Sequence, residues 1–138
     1  MKHARTEQRE KIMKTLYQVD IYKCASLDKE IDKLVSDSTE NEDVFYKTLL
    51  NGTISNLEDI DNEIDKYLSK WSVKRIDKTG AAILRMAFFE MNMDTPKRVI
   101  INEAINLAKK YSTPEVKNMI NACLDKRMKD QDGKLYNS

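Results

Sequence analysis

The 138-residue chain holds one histidine, His3, and two cysteines, Cys24 and Cys123, which stand 99 residues apart. Nucleophilic catalysis by serine or cysteine needs a base beside the nucleophile, so a single histidine near the N-terminus would have to serve every such site. Metal sites need clustered Cys or His, and neither cysteine has a Cys or His neighbour. Gly52, Gly80 and Gly133 are isolated, which leaves no glycine-rich loop to cradle a phosphate or a nucleotide. Carboxylate pairs such as Asp59 with Glu63 sit among many others on an acidic helix surface, where solvation accounts for them. The sequence therefore predicts no catalytic residue, no metal and no cofactor. Its remaining chemistry is that of cations.

Those cations are grouped. Residues 1–27 carry a net charge of +3, residues 28–66 carry −8 and residues 67–138 carry +6, within a chain whose total is +1. Basic ends folded onto one side could meet a polyanion while the acidic middle faces elsewhere; solvated helix faces would give the same counts. At 100° per residue, Arg5 and Arg9 fall within about 60° of Ile12 on a helix and Lys2 about 80° from it, whereas Glu7 and Glu10 lie on the opposite side. A core stripe thus turns into a basic stripe toward the N-terminus. Two uses fit that placement: phosphate contact, or arginine stems covering the edge of a core.

The elements that must position these residues read as helices. The chain is 41% hydrophobic and 34% charged with only three glycines and two prolines, a composition that favours an all-α domain. Ile12, Leu16 and Val19 mark a first helix from about Ala4 to Cys24. Ser26 or Asp28 can cap a short second one carrying Ile31, Leu34 and Val35, and the polar run from Ser36 to Asn41 reads as a loop. Val44, Phe45, Leu49 and Leu50 begin a third, which Gly52 can loosen or bend. Leu57, Ile60, Ile64, Tyr67, Leu68 and Trp71 form a long seam. After a connection over 73–79, the nearly continuous apolar run from Ala81 to Met91 is too short to cross a bilayer and fits a central buried helix. Asp94-Thr95-Pro96 and Ser112-Thr113-Pro114-Glu115 are two helix starts, a cap followed by proline in the first turn. One domain over 1–130 follows, with a polar, fraying tail at 131–138. The N-terminus has no apolar stretch of the kind a signal peptide needs, which places the protein in the cytoplasm with both cysteines buried and reduced.

Two strings resemble a known family. Ala82-Ile83-Leu84-Arg85-Met86-Ala87 with Glu90, then Pro96, then Ile101-Asn102-Glu103-Ala104-Ile105-Asn106-Leu107-Ala108-Lys109 are similar to the paired signatures of the NusB transcription antitermination family. The resemblance extends to Arg5, Arg9, Leu16, Tyr17, Asp20, Gly52, Trp71, Asn121, Leu124 and Asp125. It implies about seven helices in two packed subbundles. It also implies a non-enzymatic factor that binds single-stranded boxA RNA together with NusE, a small-subunit ribosomal protein, within the RNA polymerase antitermination complex that supports ribosomal RNA transcription.

On that resemblance the RNA-binding residues are Lys2, Arg5, Arg9, Tyr67, Lys117, Asn118, Met119 and Asn121. Tyr67 would stack on a base, with a place in the core as its alternative, and Tyr17 would face NusE. The chain departs from the family pattern at Asn118, Met119 and Ala122, where lysine, phenylalanine and glycine are usual. Lys117 is placed to compensate for the lost cation. Gly80-Ala81 replaces an acidic or polar pair that looks toward NusE, and Asp77 is the candidate substitute. These departures motivate a second reading, a helical protein-protein adaptor with weak or lost RNA binding that works through protein contacts, as a homodimer for instance. Glu103 is expected to pair with Arg85, and Asn102 to bond a neighbouring loop.

Overall fold

The computed structural model describes the backbone of residues 2–137 and the side chains of residues 4–133. Among them it has seven helices and no strand: α1 (Lys2–Cys24), α2 (Asp28–Thr39), α3 (Val44–Ser55), α4 (Leu57–Tyr67), α5 (Lys78–Glu90), α6 (Lys97–Tyr111) and α7 (Pro114–Asn137). α1 packs with α2 and α3, α7 packs with α4 and α6, and α5 touches α1, α3, α4, α6 and α7, joining two subbundles. The central place of α5 follows from its composition. Ala81, Ala82, Ile83, Leu84, Met86, Ala87 and Phe88 are all buried, and a helix apolar all round is stable only when covered all round.

Several element ends differ from the sequence expectation, each for a local reason. α2 runs on to Thr39 because the polar run is not all solvated. Ser38 is buried, and its hydroxyl lies 2.9 Å from Thr15 Oγ1 of α1 and 2.6 Å from Tyr46 Oη of α3. That chain satisfies three buried polar groups at once. The turn comes instead at Asn41, whose φ is 64°. At the start of α2 neither Ser26 nor Asp28 caps: Leu27 is the cap residue and makes no side-chain bond, while Ser26 turns the chain with φ 60°. α6 opens one residue later than expected, with Pro96 itself at the cap position. At α7 the expected start holds, and Thr113 Oγ1 accepts from the Val116 N–H.

The α4 seam stops at Tyr67 and does not reach Trp71, which is 49% exposed. Asp65 captures the departing chain. Its Oδ1 accepts from the Val73 N–H at 2.8 Å and its Oδ2 from Ser72 Oγ at 3.3 Å. Gly52 does not interrupt α3. The Phe89 ring occupies the space where a Cβ would stand, so this glycine permits close approach of α5. α7 continues to Asn137, past the limit near residue 130 that composition suggests.

Cys24 is exposed, contrary to expectation, and Cys123 is buried. Burial pushes the Cys123 thiol up to about 12, and only the thiolate attacks an alkylating reagent. Iodoacetamide at about pH 8 is therefore expected to label Cys24 alone in the native protein and both cysteines in denaturant. Mass spectrometry of the native digest reads the result, and comparable native labelling at Cys123 would contradict this packing.

Candidate nucleic-acid interface

α1 places Arg5 and Arg9 at different depths. The Lys2 side chain lies outside the described residues. Arg5 is exposed and holds its guanidinium 4.2 Å from the Phe45 ring centroid. Arg9 is buried at 3% exposure. Its Nε and Nη2 donate to Glu90 Oε1 and Oε2 at 2.8 and 2.6 Å, and its Nη1 lies 3.3 Å from Glu103 Oε1. Burial works against the charged form of Arg9, yet the Glu90 hydrogen bonds and the charges of Glu90 and Glu103 outweigh it and raise its pKa. Arg9 is thus no phosphate ligand in this structure. Its position within 60° of Ile12 puts it in the core once an acidic partner is present there.

That partner also corrects the expectation for Glu103, which receives Arg9 and the Thr6 hydroxyl. Arg85 pairs instead with Asp61, from Nε to Oδ1 at 2.7 Å and from Nη2 to Oδ2 at 3.0 Å, and with Asp20 Oδ2 at 3.2 Å. Asn102, expected to bond a loop from a buried position, is exposed.

The first turn of α3 borders Arg5. Asp43 caps that helix, and its Oδ1 accepts from the Tyr46 N–H at 3.0 Å and from Gln8 Nε2 at 2.8 Å. The Tyr46 N–H, the Gln8 amide and the nearby Arg5 charge hold the Asp43 carboxyl below the usual carboxylate range. Asp43, Phe45 and Gln8 were not legible as neighbours of Arg5, because the sequence signal for Asp43 is only that of a helix cap.

The remaining candidates are spread over the molecule. Tyr67 is half-buried and meets Phe88 edge to face, with centroids 6.1 Å apart. Its hydroxyl donates to Asp130 Oδ2 at 2.6 Å. Burial, then Asp130, pushes the phenol up to about 12, so it remains a donor. On α7, Asn118 and Asn121 are exposed and Lys117 is half-buried. At 100° per residue Asn118 and Asn121 share a face. Met119 turns away from them and lines a cavity with Trp71, Arg75, Asp77 and Val116.

Of the partner-facing candidates, Tyr17 is 36% exposed and lies in an apolar groove with Met13, Leu34, Thr79 and Tyr111. Asp77 is committed to the fold: its Oδ1 accepts from the Gly80 N–H and its Oδ2 from Ser112 Oγ. Gly80 is buried, and a Cβ there would come within 2.8 Å of Val116 Cγ1. It therefore lets α5 approach α7 and offers no surface to a partner, contrary to its candidacy. Among the described residues no three His, Cys, Asp or Glu side chains are grouped to hold a metal, and no helix is long and apolar enough to cross a membrane.

The profile of the NusB family matches residues 6–129. A transcription antitermination protein NusB of Macrococcus caseolyticus is 35% identical over 135 residues, covering 93% of this chain and 98% of that protein. The corresponding protein of Staphylococcus carnosus is 37% identical over 123 residues, covering 88% and 96%. Among solved structures, T. maritima NusB superposes with a TM-score of 0.74 at 29% identity, covering 88% of each chain. A chain from the crystal structure of antitermination factors NusB and NusE in complex with dsRNA superposes with a TM-score of 0.68 at 20% identity, covering 91% of this chain and 96% of that one.

Proposed function

Because the chain belongs to the NusB family of transcription antitermination proteins, we propose that it works by assembly on RNA, binding a boxA-type single strand together with NusE to support ribosomal RNA transcription in the cytoplasm. The observation that carries this reading is Arg5: an exposed guanidinium at the basic end of α1, held over an aromatic ring, with no ion pair among the described residues. A cation so placed is available to a phosphate. A relative of this fold has been crystallised with NusE and double-stranded RNA, which supports the two partners. The exposed Asn118 and Asn121 on α7 provide amides suited to base edges, and Lys117 and Lys2 add positive charge.

NusE is assigned to the groove around Tyr17, where Tyr17 and the half-buried Leu34 offer apolar surface between α1 and α2. A second copy of the chain seated in the same groove is the alternative, and it would exclude NusE. Entry into the RNA polymerase antitermination complex follows from the RNA and NusE contacts together.

The test is a titration of a boxA-type oligoribonucleotide and a scrambled control, with and without NusE, across a range of salt. Arg5→Ala is expected to weaken both RNAs about five-fold and to reduce the dependence of log affinity on log salt by about 0.7, the value for one phosphate contact to a single strand. Salt-insensitive binding, or none even with NusE present, would remove this reading. Arg9→Ala is not the variant to use, since its loss acts through the core.

A further inference from the structure

Arg5 and Phe45 belong to different helices and meet at the surface. Phe45 is half-buried and packed against the hydrophobic core, so its ring is held from below and cannot follow a moving side chain. The guanidinium of Arg5 lies 4.2 Å from its centroid, and that of Arg9, fixed by Glu90, lies 5.3 Å from it. Gln8 Nε2, one turn along α1, donates to Asp43 Oδ1 at the cap of α3, which ties the same stretch of α1 to the base of the ring. Asp43 Oδ1 receives the Tyr46 N–H and the Gln8 amide, and the carboxylate acts on Arg5 through its charge with no ion pair between them among the described residues.

A long arginine side chain loses much rotamer freedom when it docks, and an arginine already ordered has less to lose. A guanidinium attracted to an aromatic face still carries its five N–H donors on its edge, and those donors match the oxygens of a phosphate. We propose that Phe45 is a positioning residue for nucleic-acid binding: it holds the Arg5 guanidinium in a fixed place so that an RNA backbone phosphate meets a preorganised donor. The role rests on the RNA-binding reading above. Phe45 acts through Arg5 and need not touch the RNA.

The test uses Phe45→Leu, which keeps the apolar contact with the core and removes the ring, and Phe45→Tyr, which keeps both. Each is made in the wild-type and Arg5→Ala backgrounds, with thermal unfolding confirming that each variant is folded. Phe45→Leu is expected to weaken the boxA-type oligoribonucleotide about three- to five-fold without changing the salt slope, because the phosphate contact survives and only its ordering is lost. Phe45→Tyr is expected to bind as wild type, and Phe45→Leu to have no further effect once Arg5 is alanine. In the free protein, the NMR order parameter of the Arg5 Nε–Hε group is expected to fall on Phe45→Leu.

An equal effect of Phe45→Leu in the Arg5→Ala background, no rescue by tyrosine, or an unchanged order parameter would each overturn the positioning role while RNA binding stood. Absence of RNA binding by the wild-type chain would overturn the RNA reading and this role with it. The NMR measurement, made without RNA, separates the two failures.

Discussion

Replacing Arg9 by alanine is expected to destabilise the protein by about 3–5 kcal/mol, the range for stripping one partner from a buried ion pair. Glu90 is only 1% exposed and receives both Arg9 hydrogen bonds, so the substitution leaves a carboxylate in the core with no counter-charge. Total stability for a domain of this size is about 5–15 kcal/mol, and one substitution would therefore use a large share of it. Urea unfolding reads the effect as a lower midpoint with an unchanged slope.

Arg9→Lys would keep the charge but lose the bidentate geometry, and should fall between wild type and alanine. Arg9→Met combined with Glu90→Leu removes both charges at similar volume and should recover most of the loss. A loss below about 1 kcal/mol for Arg9→Ala would mean that the pair is solvated, contrary to the burial of both side chains. The same result would return Arg9 to the surface as an RNA ligand.

Arg9 also marks where the sequence stopped being readable. Helical spacing places it at the rim of the Ile12 face, and nothing local decides whether a rim arginine goes in or out. Its partner, Glu90, lies 81 residues away on a helix where it reads only as an interruption of an apolar run. The same ambiguity sent Arg85 to Glu103, because both residues are polar within apolar helices, whereas Asp61 looked like one more carboxylate on an acidic face. Periodicity sees one helix at a time, and long-range ion pairs are a property of two.

What periodicity can see, it placed well. The buried α5 and the core face of α1 follow from apolar spacing alone. The α4 seam was overrun, because Leu68 is buried outside the helix and so continues the pattern after the backbone has turned. At the candidate interface, Arg5 was legible as a cation on a face, but the ring beneath it was not. Phe45 contributes one apolar residue to the α3 pattern, and its meeting with Arg5 depends on how α1 and α3 pack.

Arg85→Ala is expected to cost about 3 kcal/mol or more, again as the price of a stranded buried carboxylate. Asp61 is 6% exposed and takes two of the Arg85 hydrogen bonds, while Asp20 keeps Lys78 at 3.5 Å and stays nearer solvent. Burial opposes the charge on Arg85, and the hydrogen bonds and charges of Asp61 and Asp20 more than offset it, so that its pKa lies above the ordinary arginine value. The guanidinium thereby fastens α5 to α4 through Asp61 and to α1 through Asp20.

Double-mutant cycles by urea unfolding test this directly. Arg85 and Asp61 should couple by about 1–3 kcal/mol, and Arg85 with Glu103 by nothing measurable, since residues without shared partners add. Coupling of Arg85 to Glu103 instead would restore the pairing suggested by sequence and displace the one described. The Arg9 and Arg85 networks share no residue, so their alanine variants should add. Their combined loss of about 6–8 kcal/mol would leave little of a typical domain's stability. Both networks anchor on α5, which makes that helix the electrostatic as well as the apolar centre from which α1 presents Arg5.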